Sequence, residues 1–132
     1  MRLVSTSESV YNEYVNCLMY FTERKIEMKK YLAIDIGGTN IKYAEIEETG
    51  NIVRKDKIKT PKDRESFLSA VDRIVTRHRK NVSGIAVCAP GKIDGTTIRF
   101  GGALPFLDGV DLASEYAGPD FPVAVINDDK AG

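Results

Sequence analysis

The stretch Ala33 to Lys42, AIDIGGTNIK, concentrates residue types that can handle a phosphate group. Gly37 and Gly38 would expose successive backbone N–H groups where side chains would block an approaching anion. Thr39 adds a hydroxyl donor for a phosphate oxygen and Lys42 a positive charge. Asp35, near the end of the preceding apolar run, could hold magnesium, usually through water. The same double glycine also suits an ordinary hairpin turn. Two commoner nucleotide motifs do not fit: a P-loop needs a Gly-Lys-Ser/Thr ending that enters a helix, and a dinucleotide fingerprint needs Gly-x-Gly-x-x-Gly between strand and helix. Here the glycines lead into a second strand.

The surrounding elements are set by periodicity and punctuation. YLAIDI, ending at Ile36, is a short, largely buried strand; IKYAEIE then sets Ile41, Tyr43 and Glu45 on one face against Lys42, Ala44 and Ile46. A turn at Glu48–Asn51 leads into a third, more exposed strand from Ile52, which Pro61 ends, making an antiparallel meander. Phe67, Leu68, Val71, Ile74 and Val75 then recur at helical spacing, with Asp63 as N-cap. SGIAVCA, ending at Ala89, reads as a fully apolar central strand joined by a parallel crossover. PGKIDGTTIRF gives a turn and a short strand, with Asp94 serving turn chemistry. GGALPFLDG is a loop, VDLASEYAG a short helix, and FPVAVI a further buried strand that ends at Asn127–Asp128. The expected architecture is an α/β domain with a mixed sheet: a three-stranded antiparallel meander followed by parallel strand–helix units.

Composition narrows the partners. The chain has 132 residues, 42% of them hydrophobic, enough for one core, and its 19 basic residues balance 19 acidic ones. That balance gives no field for a nucleic-acid backbone or an anionic membrane. Cys17, Cys88 and the single histidine, His78, lack the spacing of a zinc site or a disulfide framework. No run approaches the roughly 20 apolar residues that span a bilayer, and CLMYF at Cys17–Phe21 is too short for a signal peptide. A cytoplasmic location is the expectation. Residues 1–27 stand apart as an amino-terminal extension. Val10, Tyr14, Cys17, Leu18 and Phe21 could form one stripe of a helix, yet Met28-Lys29-Lys30 resembles an initiation context, so the extension is a docking helix, a misassigned start or a non-native segment.

Four segments in order carry a family resemblance: AIDIGGTNIKYAEIE, GIAVCAPGKID, GGALPFLDGVDL and FPVAVINDDKAG. Together they resemble the ROK family (repressors, open reading frames, kinases) of the actin-like, hexokinase-type superfamily, over nearly all of Tyr31 to Gly132. The resemblance implies the actin-like ATPase, ribonuclease H-like fold, with residues 28–132 as the amino-terminal lobe of a sugar kinase whose second lobe is absent. It assigns Asp128 as the general base toward a sugar hydroxyl, although an N-cap would use the same residue. Asn127 would bond a neighbouring hydroxyl, and Gly101 and Gly102 would let the ring approach. Asp35 would position Mg2+, and Gly37, Gly38 and Thr39 would hold the ATP phosphates. The family commonly continues Asn-Asp-Ala-Asn-Ala-Ala, whereas this chain reads Asn127-Asp128-Asp129-Lys130-Ala131-Gly132. The expected partners are ATP and a hexose, N-acetylhexosamine or β-glucoside. Little turnover is expected from this lobe alone, and self-association through uncovered apolar surface. The rival readings are a sugar-responsive transcriptional regulator, for which a basic recognition face is missing, and a catalytically silent sugar-binding domain.

Overall fold

The computed structural model describes residues 12–16 and 29–128. Residues 12–16 are helical and exposed, Tyr14 among them; Val10, Cys17, Leu18 and Phe21 of the expected stripe lie outside the described residues. From Lys30 onward the chain forms β1 (Lys30–Ile36), β2 (Asn40–Glu47), β3 (Ile52–Lys59), α1 (Arg64–His78), β4 (Ile85–Ala89), β5 (Lys92–Asp94), β6 (Thr97–Arg99), α2 (Leu112–Tyr116) and β7 (Val123–Asn127). The main sheet runs in the order β3-β2-β1-β4-β7, with β5 and β6 as a separate hairpin. β1, β2 and β3 pair antiparallel, and β4 pairs parallel with both β1 and β7. The meander and the parallel crossover expected from periodicity are both present.

One face of the sheet carries the core. Leu32, Ile34 and Ile36 of β1, Ile41 and Tyr43 of β2, Ile85, Val87 and Ala89 of β4, and Val125 of β7 are buried there. They form one cluster with Phe67, Val71, Ile74 and Val75 of α1 and with Leu104, Leu107, Val110 and Leu112 from the segment before β7. α1 begins where the Asp63 carboxylate accepts the Ser66 N–H at 2.9 Å. Glu65 in its first turn and Arg77 and His78 in its last complement the helix dipole. α2 is capped in the same way, Asp111 accepting the Ser114 N–H at 3.1 Å.

The opposite face is less covered than the sequence suggests. Ala86 is exposed and Cys88 half-buried in β4, so that strand is buried on one side only among the described residues. FPVAVI, expected as a buried strand, is instead the outermost one: Val125 is buried, but Ala124 is exposed and Ile126 is 42% exposed. The cause is topological, since β7 has a sheet neighbour on one side alone among the described residues. β3, the other edge, is exposed along nearly its whole length, and its Arg54, Lys55, Lys57 and Lys59 discourage pairing with a further strand.

A buried ion pair ties the meander to α1. Glu45, 1% exposed, sits on the covered face of β2 and pairs through Oε2 with Nδ1 of His78. Lys30 Nζ lies 3.7 Å and Arg54 Nε 4.0 Å from its other oxygen, and the Tyr43 ring meets the His78 ring edge-on. Burial alone would raise the Glu45 pKa. The hydrogen bond and charge of His78, with help from Asn81 and Arg54, outweigh it and hold the carboxyl below its ordinary 4.5. A depressed carboxylate pKa stabilises the fold above its unfolded value, and that stabilisation is lost as pH falls below about 4.5 toward the folded value. Removing one member of a buried pair strands the other, so Glu45→Ala should cost on the order of 3 kcal/mol in urea unfolding at pH 7. The stability gap between the native protein and Glu45→Gln should narrow as pH falls from 6 to 3; a constant gap would remove Glu45 from the pH dependence.

Candidate active site

Three parallel strands, β1, β4 and β7, point their carboxyl ends at one edge of the sheet, where ligands of open α/β sheets collect. Each strand runs out into one of the segments singled out from sequence. β1 leads into the Gly37–Thr39 turn, β4 into Pro90–Gly91, and β7 into Asn127–Asp128. The loop after β6 folds back onto them.

The turn after β1 is closed by the Gly37 N–H donating to the Asn40 carbonyl at 3.0 Å. Gly37 is required for room: a Cβ there would lie 2.9 Å from the Asn40 carbonyl oxygen. Its own amide being engaged, the turn's outward donors are the Gly38 and Thr39 N–H groups, which no acceptor among the described residues takes up. The carbonyls of the turn are all held. The buried Thr60 hydroxyl donates to Gly37 O at 2.7 Å, the Thr60 N–H to Thr39 O at 2.9 Å, and Lys62 Nζ to Gly38 O at 3.0 Å.

The loop of Gly101 and Gly102 meets this turn and the end of β4. Phe100, Gly101 and Gly102 all have positive φ (67°, 59° and 55°), and the Phe100 N–H is fixed by Asp108 Oδ1 at 2.9 Å. A Cβ on Gly101 would fall 2.0 Å from Leu104 O, and one on Gly91 2.7 Å from the Gly101 nitrogen. Backbone therefore packs on backbone here, as only glycine permits. The Asn127 side-chain amide donates to Gly91 O, tying β7 to the same turn. Gly38 reaches the loop as well, a Cβ there lying 3.4 Å from Ala103 Cβ.

Charge gathers on the less covered face at this edge. Asp35 is exposed and stands in register with Lys42 on one side and Cys88 on the other. A cleft of about 580 Å³ is lined there by Asp35, Lys42, Ala44, Lys55, Lys57 and Cys88 among others. Burial and then the charges of Asp35 and Asp128 push the Cys88 thiol above its ordinary 9.0. Both carboxylates therefore act on one point at the end of β4. No group of three or more His, Cys, Asp or Glu side chains that could hold a metal ion gathers among the described residues. Two exposed carboxylates could still hold Mg2+ through water, since that ion keeps most of its shell as water. Asp128, directly after β7, is exposed and helical in conformation.

Sequence reading thus identified segments that the fold brings together, and left out the residues that join them. Gly91, Ala103, Thr60 and Lys62 do so through contacts between residues far apart in the chain; the Pro90–Gly91 dipeptide was the one local signal.

The fold is that of the actin-like ATPases. Residues 31–131 match the description of the ROK family, and the chain belongs to that family. It is 32% identical over 113 residues to an N-acetylmannosamine kinase of Yersinia pestis (strain Pestoides F), covering 79% of this chain and 37% of that one. A ROK family protein from Streptococcus pneumoniae TIGR4, solved in complex with sucrose, is 30% identical with a TM-score of 0.61 over 75% of this chain and 34% of that one. A ROK family glucokinase from Streptomyces griseus, solved with glucose and AMPPNP, shares the fold at a TM-score of 0.63 and 24% identity, over 75% of this chain and 33% of that one. The chain spans about a third of the length of these relatives. No helix among the described residues is long and apolar enough to cross a membrane.

The thiol provides a direct probe of the charge at this edge. With Cys17 replaced by serine, Cys88 should react with iodoacetamide at pH 8 at least several-fold more slowly than a free small thiol, because little of it is thiolate. Asp35→Asn should speed the reaction by about twofold or more, removing one of the charges that hold the proton on sulfur. An unchanged or slower rate would place Asp35 out of electrostatic reach.

Proposed function

We propose that this chain supplies the phosphate-contacting and sugar-contacting edge of an ATP-dependent sugar kinase, in a protein completed by a second lobe. The observation that carries this reading is the meeting, at the carboxyl ends of β1, β4 and β7, of a turn with outward N–H donors, a glycine loop and a terminal carboxylate. Membership of the ROK family and likeness to an N-acetylmannosamine kinase support it.

Phosphoryl transfer asks a protein chiefly for positioning and charge neutralisation. The Gly38 and Thr39 amides and the Thr39 hydroxyl would hold phosphate oxygens of ATP. Gly101 and Gly102 would offer a sugar ring the backbone faces turned away from Leu104 and the Pro90–Gly91 turn, and Asn127 would stand beside it, its amide anchored on Gly91. Asp128 would take the proton of the attacking hydroxyl as that oxygen bonds to the γ-phosphorus and the bond to ADP breaks. Asp35 would hold Mg2+ through water; the ion, when bound, neutralises charge on the phosphates. Lys42, beside Asp35, would add a further positive charge.

In the protein carried to the length of its relatives, a coupled assay over N-acetylmannosamine, glucose and a β-glucoside should detect sugar-dependent release of ADP. Asp128→Ala should lower kcat at least 100-fold, within the range expected for a lost general base, and leave the KM for ATP within about threefold. The 132-residue chain alone should turn over at a small fraction of that rate. Sugar binding without phosphorylation by the longer protein, unaffected by Asp128→Ala, would instead support a silent sugar-binding domain.

A further inference from the structure

We propose that Thr60 and Lys62, on the segment leaving β3, are positioning residues of the phosphate turn, aiming its two outward amides by holding the carbonyls behind them; this rests on the reading of that turn as an anion site. In a trans peptide the C=O of one residue and the N–H of the next lie in one plane and point in opposite directions. A group that grips the carbonyl of Gly37 therefore sets the direction of the Gly38 N–H, and a group that grips the carbonyl of Gly38 sets that of Thr39.

Both grips are present. The Thr60 hydroxyl donates to Gly37 O at 2.7 Å, and Lys62 Nζ to Gly38 O at 3.0 Å. A third bond, from the Thr60 N–H to Thr39 O at 2.9 Å, holds the last carbonyl of the turn. Thr60 is 2% exposed, so its hydroxyl works out of competition with water, whereas the Lys62 bond is exposed. Pro61 between them limits the backbone freedom with which the two could drift apart. The ammonium of Lys62 also polarises the peptide it touches, which strengthens the Thr39 N–H as a donor on the far side. Binding an anion at two amides whose planes are already fixed avoids the entropy of ordering them on contact.

This assigns Lys62 a role different from that of Lys42. Lys62 stands on the carbonyl side of the turn, away from where its N–H groups point, and acts through the backbone. Neither Thr60 nor Lys62 would touch the nucleotide's reacting atoms.

The test is a titration of this chain with inorganic tripolyphosphate, followed by NMR on the Gly38 and Thr39 amides. In the native sequence those two resonances should shift and saturate. Thr60→Val, which keeps the shape and removes the hydroxyl, should weaken binding about fivefold or more, and Thr60→Ser should restore it to within about twofold. Lys62→Met should weaken binding about two- to fivefold, and Lys62→Arg should retain it, with thermal unfolding temperatures unchanged for both exposed substitutions. Where Thr60→Val fails to fold, the Lys62 pair and Thr60→Ser decide the matter. Native binding at Gly38 and Thr39 with undiminished affinity in Thr60→Val or Lys62→Met would overturn the positioning role and leave the phosphate turn standing. No shift at those amides in the native chain would overturn both.

Discussion

The hydrogen-bond register of the central strand is the constraint on which the rest depends. β1 is paired on both sides, antiparallel to β2 and parallel to β4, and this lines up Lys57, Lys42, Asp35, Cys88 and Ile126 as one row across five strands. A slip of β1 by one residue against its neighbours would turn Asp35 into the core and Ile34 and Ile36 out of it. The penalty for burying an unpaired carboxylate enforces the register as firmly as the gain from burying Ile34 and Ile36. Site and core are thus two faces of one pairing decision. The apolar face binds α1, and the other brings the charges of Asp35 and Asp128 to the thiol of Cys88.

The ends of the strands are joined by backbone rather than by side chains. Gly91 and Gly101 approach so closely that a single methyl group on either would strike main-chain atoms. Asn127 fastens the third strand to the same point. Packing of this kind holds the loop and the two strand ends in fixed relation. Phe100 illustrates the strain involved, a non-glycine residue at φ 67° that is 72% exposed and fixed by Asp108. At the other end of the sheet the Glu45–His78 pair does the complementary work of locking α1 to the meander.

Much of this was legible in the sequence because it is local. Alternation placed Ile41, Tyr43 and Glu45 on one face, and all three are buried together. Asp63 was readable as an N-cap because the acceptor and its Ser66 donor are three residues apart. The antiparallel meander followed from strand spacing, and the family resemblance is matched over residues 31–131. What stayed hidden is set by distance along the chain. Glu45 finds His78 33 residues away, and Thr60 finds Gly37 across 23. No propensity reports such pairings. The exposure of β7 was also invisible, because VAVI reads alike in a central strand and at an edge, and the position of a strand in a sheet is a property of the whole topology.

A kinase built on this edge must bring a sugar and a nucleotide together at Asp128. The most direct measurement is a crystal structure of the protein carried to the length of its relatives, with N-acetylmannosamine or glucose and a non-hydrolysable ATP analogue bound. A carboxylate oxygen of Asp128 should lie within about 3 Å of the sugar hydroxyl that faces the terminal phosphate, with the Gly38 and Thr39 amides turned toward phosphate oxygens. A sugar bound away from Asn127–Asp128, or phosphates seated on another turn, would contradict it.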